Sequence, residues 1–205
     1  MSHFVLNPHS ENILKLISLL SPILVVFFIV MSSLFNENIK GIVYLSGLCI
    51  TMLINYFLMF QVGSKVQDEH LQKICYLLNI GLTPYDSPYQ SSVILAFTAA
   101  YLIIPMIYNS QINYIVLSFF MFIFGVDTFY KITQKCTTIS GALLGGLLGI
   151  FLAILWVLLF YISGYQSLLF FSDFQSNRVL CSKPSKQTFK CSVFKNGKLI
   201  SNNIV

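Results

Sequence analysis

Five long apolar runs separated by short polar breaks dominate the chain: Ile13–Leu34, Ile42–Val62, Ser92–Ile107, Tyr114–Tyr130 and Ile139–Ser163. A helix crossing about 30 Å of hydrocarbon needs roughly 20 mostly apolar residues, so the pattern predicts five membrane spans. The third and fourth are the shortest. Pro22 in the first and Pro105 in the third are compatible with this, because neighbouring helices can re-satisfy the backbone groups that a proline frees. Cys75–Leu82 is too short to cross, and Ser167–Phe171 is long enough only to dip into the interface. The expected fold is an all-α transmembrane bundle of about five helices over residues 1–164, followed by an extramembrane tail over 165–205.

Composition agrees with that pattern. Charged residues are 9% of the 205 and hydrophobic residues 56%, whereas a soluble domain carries about 25% charge. So few charges cannot clothe a water-facing surface, but an apolar exterior suits lipid. The abundance of Phe, Ile, Leu, Tyr and Asn, with a single Arg, reflects an AT-rich coding sequence and bears on source alone. A net charge of +5 spread over both faces suits anionic lipid or an acidic protein neighbour and makes nucleic acid a poor partner.

The first run does not resemble a cleavable signal. Met1–Asn12 has no basic cluster, the apolar stretch is long, and no small-residue cleavage site follows, so a retained signal anchor is expected. Five spans put the loops at 62–90 and 130–138 on one face. Their Lys65, Lys73, Lys131 and Lys135 would place that face in the cytoplasm, whereas Arg178, Lys183, Lys186, Lys190, Lys195 and Lys198 of the tail favour the other. Charge bias therefore leaves sidedness open. The chain contains no Asn-x-Ser/Thr sequon to settle it.

In the tail, Asn196-Gly197 stands between Thr188–Lys195 and Lys198–Ser201, the strongest short signal for a β-hairpin. An isolated hairpin is marginal in water and needs a partner surface or a crosslink. Cys181 and Cys191 supply a crosslink if the tail matures in an oxidising compartment and stay thiols if it does not. The tail has no His, so no metal site is expected there, and no cofactor is expected anywhere. Cys49 and Cys136 sit in or beside spans and read as small packing residues.

Two features of the spans bear on function. Gly141, Gly145 and Gly149 recur every fourth residue and predict a helix face for close intramolecular packing, since small residues let helix backbones approach in lipid. Asp127 near the end of the fourth span is an intramembrane acid, a default functional candidate for a proton or ion path. Lys131 four residues on offers the plainer reading of an i,i+4 ion pair with a snorkelling lysine.

The polar loop Lys131–Ser140 runs directly into Gly141-Ala-Leu-Leu-Gly145-Gly-Leu-Leu-Gly149, and Pro88-Tyr-Gln-Ser91-Ser92 runs into the third span. This layout, over roughly residues 40–160, resembles the type-2 phosphatidic acid phosphatase superfamily. That resemblance implies a phosphoryl-transfer site in which one His attacks phosphorus, a second His held by Asp acts as base, and Lys and Arg neutralise the phosphate. Carried over by position, the histidines fall on Ser91 and Cys136, the Asp on Ser140 and an Arg on Tyr130. The first motif offers Lys65 without its Arg-Pro. His3, His9 and His70 lie outside these motifs. Losing a nucleophile or its base removes several orders of magnitude of rate, so the expectation is a phosphatase-like scaffold without catalysis.

The tail Cys181–Ile200, with its Cys-Ser-Lys-Pro-Ser-Lys opening, resembles carboxy-terminal cassettes of membrane proteins of large nucleocytoplasmic DNA viruses. That resemblance implies a structural protein of a virion's internal membrane, or of the host membrane it derives from, with capsid proteins as partners and the hairpin edge open to strand addition. The alternatives are an active or lipid-binding phosphatase, and a small channel or transporter using Asp127, Asn55 and Ser140.

Overall fold

The computed structural model describes residues 10–64, 75, 85–170, 190–195 and 198–204. The chain divides into two compact units, Met1–Gln175 and Ser176–Val205. The first is an all-α bundle built from α1 (Ser10–Phe35), α2 (Lys40–Val62), α3 (Gln90–Tyr108), α4 (Tyr114–Thr133) and α5 (Ile139–Ile162). All five are long and apolar enough to cross a membrane, α1 from Lys15 onward. Their exteriors carry exposed large side chains such as Phe57, Phe122, Leu147 and Phe151. So continuous an apolar coat would drive association in water, and it fits lipid. The chain has the architecture of an integral multi-pass membrane protein.

Helix ends follow local chemistry. Asn113 caps α4 by accepting from the amides of Ile115 and Val116, and Thr138 caps α5 by accepting from Gly141 N, each satisfying amides that a first turn leaves unpaired. Between α1 and α2, Ser33 Oγ donates to Asn38 O at 2.6 Å and accepts from Gly41 N at 2.8 Å. That turn brings the second helix back antiparallel to the first.

α3 is the central helix. It packs against α1, α2, α4 and α5, and Ser92, Val93, Leu95, Phe97 and Thr98, which together circle its axis, are all buried. Tyr44 of α2 lies against Phe97 and Tyr101 and its hydroxyl meets Thr98 Oγ1 at 2.7 Å, so this buried phenol is paired as burial requires. On the adjoining face of α2, Trp156 of α5 covers Gly47 and donates its indole N–H to Val43 O at 3.3 Å.

A short 3-10 turn, Gln166–Leu168, follows α5, and Leu169 and Phe170 are buried in the bundle's core. The first unit therefore continues past the expected boundary at 164, because these two side chains find apolar partners there. In the second unit, strands Lys190–Lys195 and Lys198–Ile204 run antiparallel, with an irregularity in register between Val193 and Phe194. The expected turn at Asn196-Gly197 and Cys181 lie outside the described residues, as does the side chain of Cys191, so the expected pair of Cys181 and Cys191 falls outside them too.

Candidate functional site

Ser18, Ser91, Asp127 and Lys131 gather toward the end where α2 leads to α3 and α4 leads to α5. Asp127 of α4 is 1% exposed. It accepts from Ser18 Oγ of α1 at 2.7 Å and from Ser91 Oγ of α3 at 2.5 Å, one on each carboxylate oxygen. One carboxylate thus ties three helices together. Charge-assisted hydrogen bonds are the strong ones, and in a low-dielectric interior a carboxylate without such donors would be very costly.

Lys131, one turn further along α4, is 2% exposed. Its ammonium donates to Cys75 O at 2.8 Å and lies 5.8 Å from the centre of the Tyr89 ring. The Tyr89 hydroxyl donates to the same carbonyl at 3.1 Å. Lys131 does not snorkel to water as expected. It turns inward, because the Cys75 carbonyl and an aromatic face replace its hydration. Asp127 acts on it only through space, since its two oxygens are taken by serine hydroxyls.

The Cys75 carbonyl is fixed by a covalent bond. Cys75 and Cys136 form a disulfide with Cα atoms 5.5 Å apart and a sequence separation of 61. Both are buried and pack with Tyr89. Cys136 is therefore more than a packing residue: it staples the α4–α5 loop to the α2–α3 connection. Around it, Thr137 Oγ1 donates to Asp86 O at 2.6 Å, Tyr89 N donates to Gly141 O at 3.1 Å, and Asp86 Oδ1 accepts from Ser64 N at 2.7 Å. The two loops are one knot of hydrogen bonds with the disulfide at its centre.

The glycine face of α5 completes the joint. A Cβ on Gly141 would stand 2.6 Å from Asp86 O, on Gly145 2.7 Å from Tyr89 O, and on Gly149 2.5 Å from Val93 O. All three glycines lie against the backbone leading into and forming α3. That contact is within the chain, and it brings the loop at Cys136 up to the start of α3.

The four positions singled out by the phosphatase-like layout do come to one end of the bundle, where three of them make structural bonds. Ser91 gives its hydroxyl to Asp127. Cys136 is in the disulfide. Ser140 is exposed and its hydroxyl meets that of the capping Thr138, Oγ to Oγ at 3.0 Å. Tyr130 is buried on α4. Asn55 is buried on α2, and among the described residues no hydrogen bond links it to Asp127 or Ser140.

A small cleft of about 140 Å³ beside the cluster is lined by Ser18, Pro22, Cys75, Tyr89, Ser91 and Lys131. Among the described residues no group of three or more His, Cys, Asp or Glu is placed to hold a metal ion. Sequence reading picked out Asp127 as an acid in an apolar span and missed Ser18 and Cys75. Serines in membrane helices have many uses, and Cys75 opens a stretch whose only visible property is shortness. Comparison with family models, with curated proteins and with solved structures finds no match to the chain.

Proposed function

We propose that the protein is a structural, non-hydrolytic membrane protein whose bundle anchors a basic tail that docks a protein partner. One observation carries this reading: the side chains standing where a lipid phosphatase would place its chemistry are engaged in holding helices and loops together. Ser91 is clamped to Asp127 and Cys136 is consumed in a disulfide. A thiol in a disulfide is neither nucleophile nor base, and the buried ammonium of Lys131 is already directed at a backbone carbonyl. Resemblance of the tail to cassettes of large nucleocytoplasmic DNA viruses supports a capsid protein as that partner, a virion's internal membrane as the location, and a β-hairpin as the docking element.

The test is direct. Purified full-length chain in vesicles containing phosphatidic acid releases no phosphate above the level of empty vesicles. A chain lacking Ser182–Val205 keeps its thermal stability yet no longer co-purifies with a capsid protein that the intact chain retains. A hydrolytic second reading rests on the Ser91–Asp127 contact, in which a carboxylate stands where it could take a serine proton. Phosphate release that disappears in Ser91→Ala and in Asp127→Asn would replace the structural reading with that one.

A further inference from the structure

The disulfide bears on a question that charge bias leaves open, namely which face of the membrane the tail occupies. Cys75 lies in the connection between α2 and α3, and Cys136 in the connection between α4 and α5. Two spans separate them, so both connections lie on one face, and the chain leaves α5 at Gly164 on the other. Closing this bond takes two electrons and two protons from the thiols. Protein disulfides of an oxidising compartment accept them by thiol–disulfide exchange, whereas cytosolic thiols are kept reduced. From the disulfide we infer the orientation of the protein: the face carrying Cys75 and Cys136 is lumenal or external, and everything after α5 is cytoplasmic.

The charges of the two faces change once the buried lysine is recognised. Lys131 is enclosed beside Asp127 and does not belong to its loop's surface. Without it, the two connections on the disulfide face carry Lys65, Lys73 and Lys135 against Asp68, Glu69 and Asp86, and balance. On the opposite face Lys40 and Glu37 cancel, and the segment after α5 carries Arg178, Lys183, Lys186, Lys190, Lys195 and Lys198 against Asp173 alone. Charge bias counts residues within about 15–20 of a span end, which leaves Arg178 alone of the tail's basic residues, so the bias does not favour this orientation and the inference rests on the disulfide. Two consequences attach to the orientation. Cys181 and Cys191 remain thiols in the cytoplasm, and the tail's positive charge stands on the side where the leaflet is anionic. The inference holds whether or not the protein is catalytic.

The absence of any native sequon gives a clean background for the test. Full-length chain is made with endoplasmic-reticulum microsomes in two variants. His70→Asn with Gln72→Thr creates an acceptor in the α2–α3 connection, and Val179→Thr creates one at Asn177 in the tail. The orientation predicts a glycan, removable by endoglycosidase, on the first variant and none on the second. A glycan on the tail variant overturns it. A second readout uses a membrane-impermeant maleimide on sealed vesicles in a Cys49→Ala background, added from the cytoplasmic side without reductant. Cys181 and Cys191 should be alkylated, and Cys75 and Cys136 should react only after both reductant and detergent. Tail thiols that stay protected until the vesicles are opened, or a Cys136 that reacts without reductant, sink the inference even if neither sequon is used.

Discussion

Asp127 decides how three helices meet, and its two serine contacts make a testable unit. Hydrogen bonds to a charged group contribute about 1.5–3 kcal/mol, and breaking a buried ionic network by removing one member costs about 3–5 kcal/mol. Asp127→Ala should therefore be the most damaging change at this site, because it leaves Ser18 and Ser91 unpaired and Lys131 without a nearby countercharge. Ser91→Ala should cost about 1–2 kcal/mol alone and almost nothing in the Asp127→Ala background. Unfolding in detergent of the two single variants and the double variant measures this. Additive losses would mean that the 2.5 Å contact contributes no stability. The sequence exposes Asp127 because an acid inside an apolar run has few bland explanations. It hides the serines because a hydroxyl that holds a carboxylate looks the same in sequence as one that bonds its own helix. It also invites an ion pair with Lys131, since an i,i+4 spacing says nothing of a carbonyl brought from another loop.

At the scale of elements, the five spans are readable from the lengths of the apolar runs. The observed helices extend the expected ones by only a few residues at most ends. Neighbour relations are less readable, because an apolar face looks alike whether lipid or protein covers it. Glycine spacing is the exception. Gly141, Gly145 and Gly149 mark the face that meets α3, and the atoms they would strike are backbone carbonyls that cannot swing aside. A ranking of alanine substitutions follows from those contacts. Gly145→Ala and Gly149→Ala should each destabilise by about 1–3 kcal/mol through overpacking. Gly146→Ala meets only the Phe124 ring at 3.3 Å and should be mild, since a ring can yield. Gly125→Ala meets nothing within 4 Å and should be neutral or stabilising by up to about 1 kcal/mol, the helix-propensity difference. Melting temperatures in one detergent test the order. A Gly125→Ala loss as large as that of Gly145→Ala would show that propensity and not packing sets these effects.

For the whole molecule, the disulfide adds what the pattern of spans cannot: a covalent tie between loops 61 residues apart in sequence. Cysteine counting alone could not find it, because five cysteines allow many pairings and the two in the tail bracket the more conspicuous loop. In a soluble chain, closing a loop of that size stabilises by about 4 kcal/mol through the entropy of the unfolded ensemble. Here the ends of both loops stay attached to inserted helices even when packing is lost, so the unfolded state is already constrained and the gain should be well below that figure. The bond matters more for local order: it holds the Cys75 carbonyl on Lys131 and Tyr89. Cys75→Ala, Cys136→Ala and the double variant remove the same single bond, so all three should lose the same stability to within about 0.5 kcal/mol. All three should keep five inserted spans, and native-state hydrogen exchange should rise around Tyr89 and Thr137 while the middle of α3 stays protected. Losses that add in the double variant would mean that the two cysteines act separately. A loss of protection running through α3 would mean that the bundle depends on the staple for its fold and not only for the order of one end.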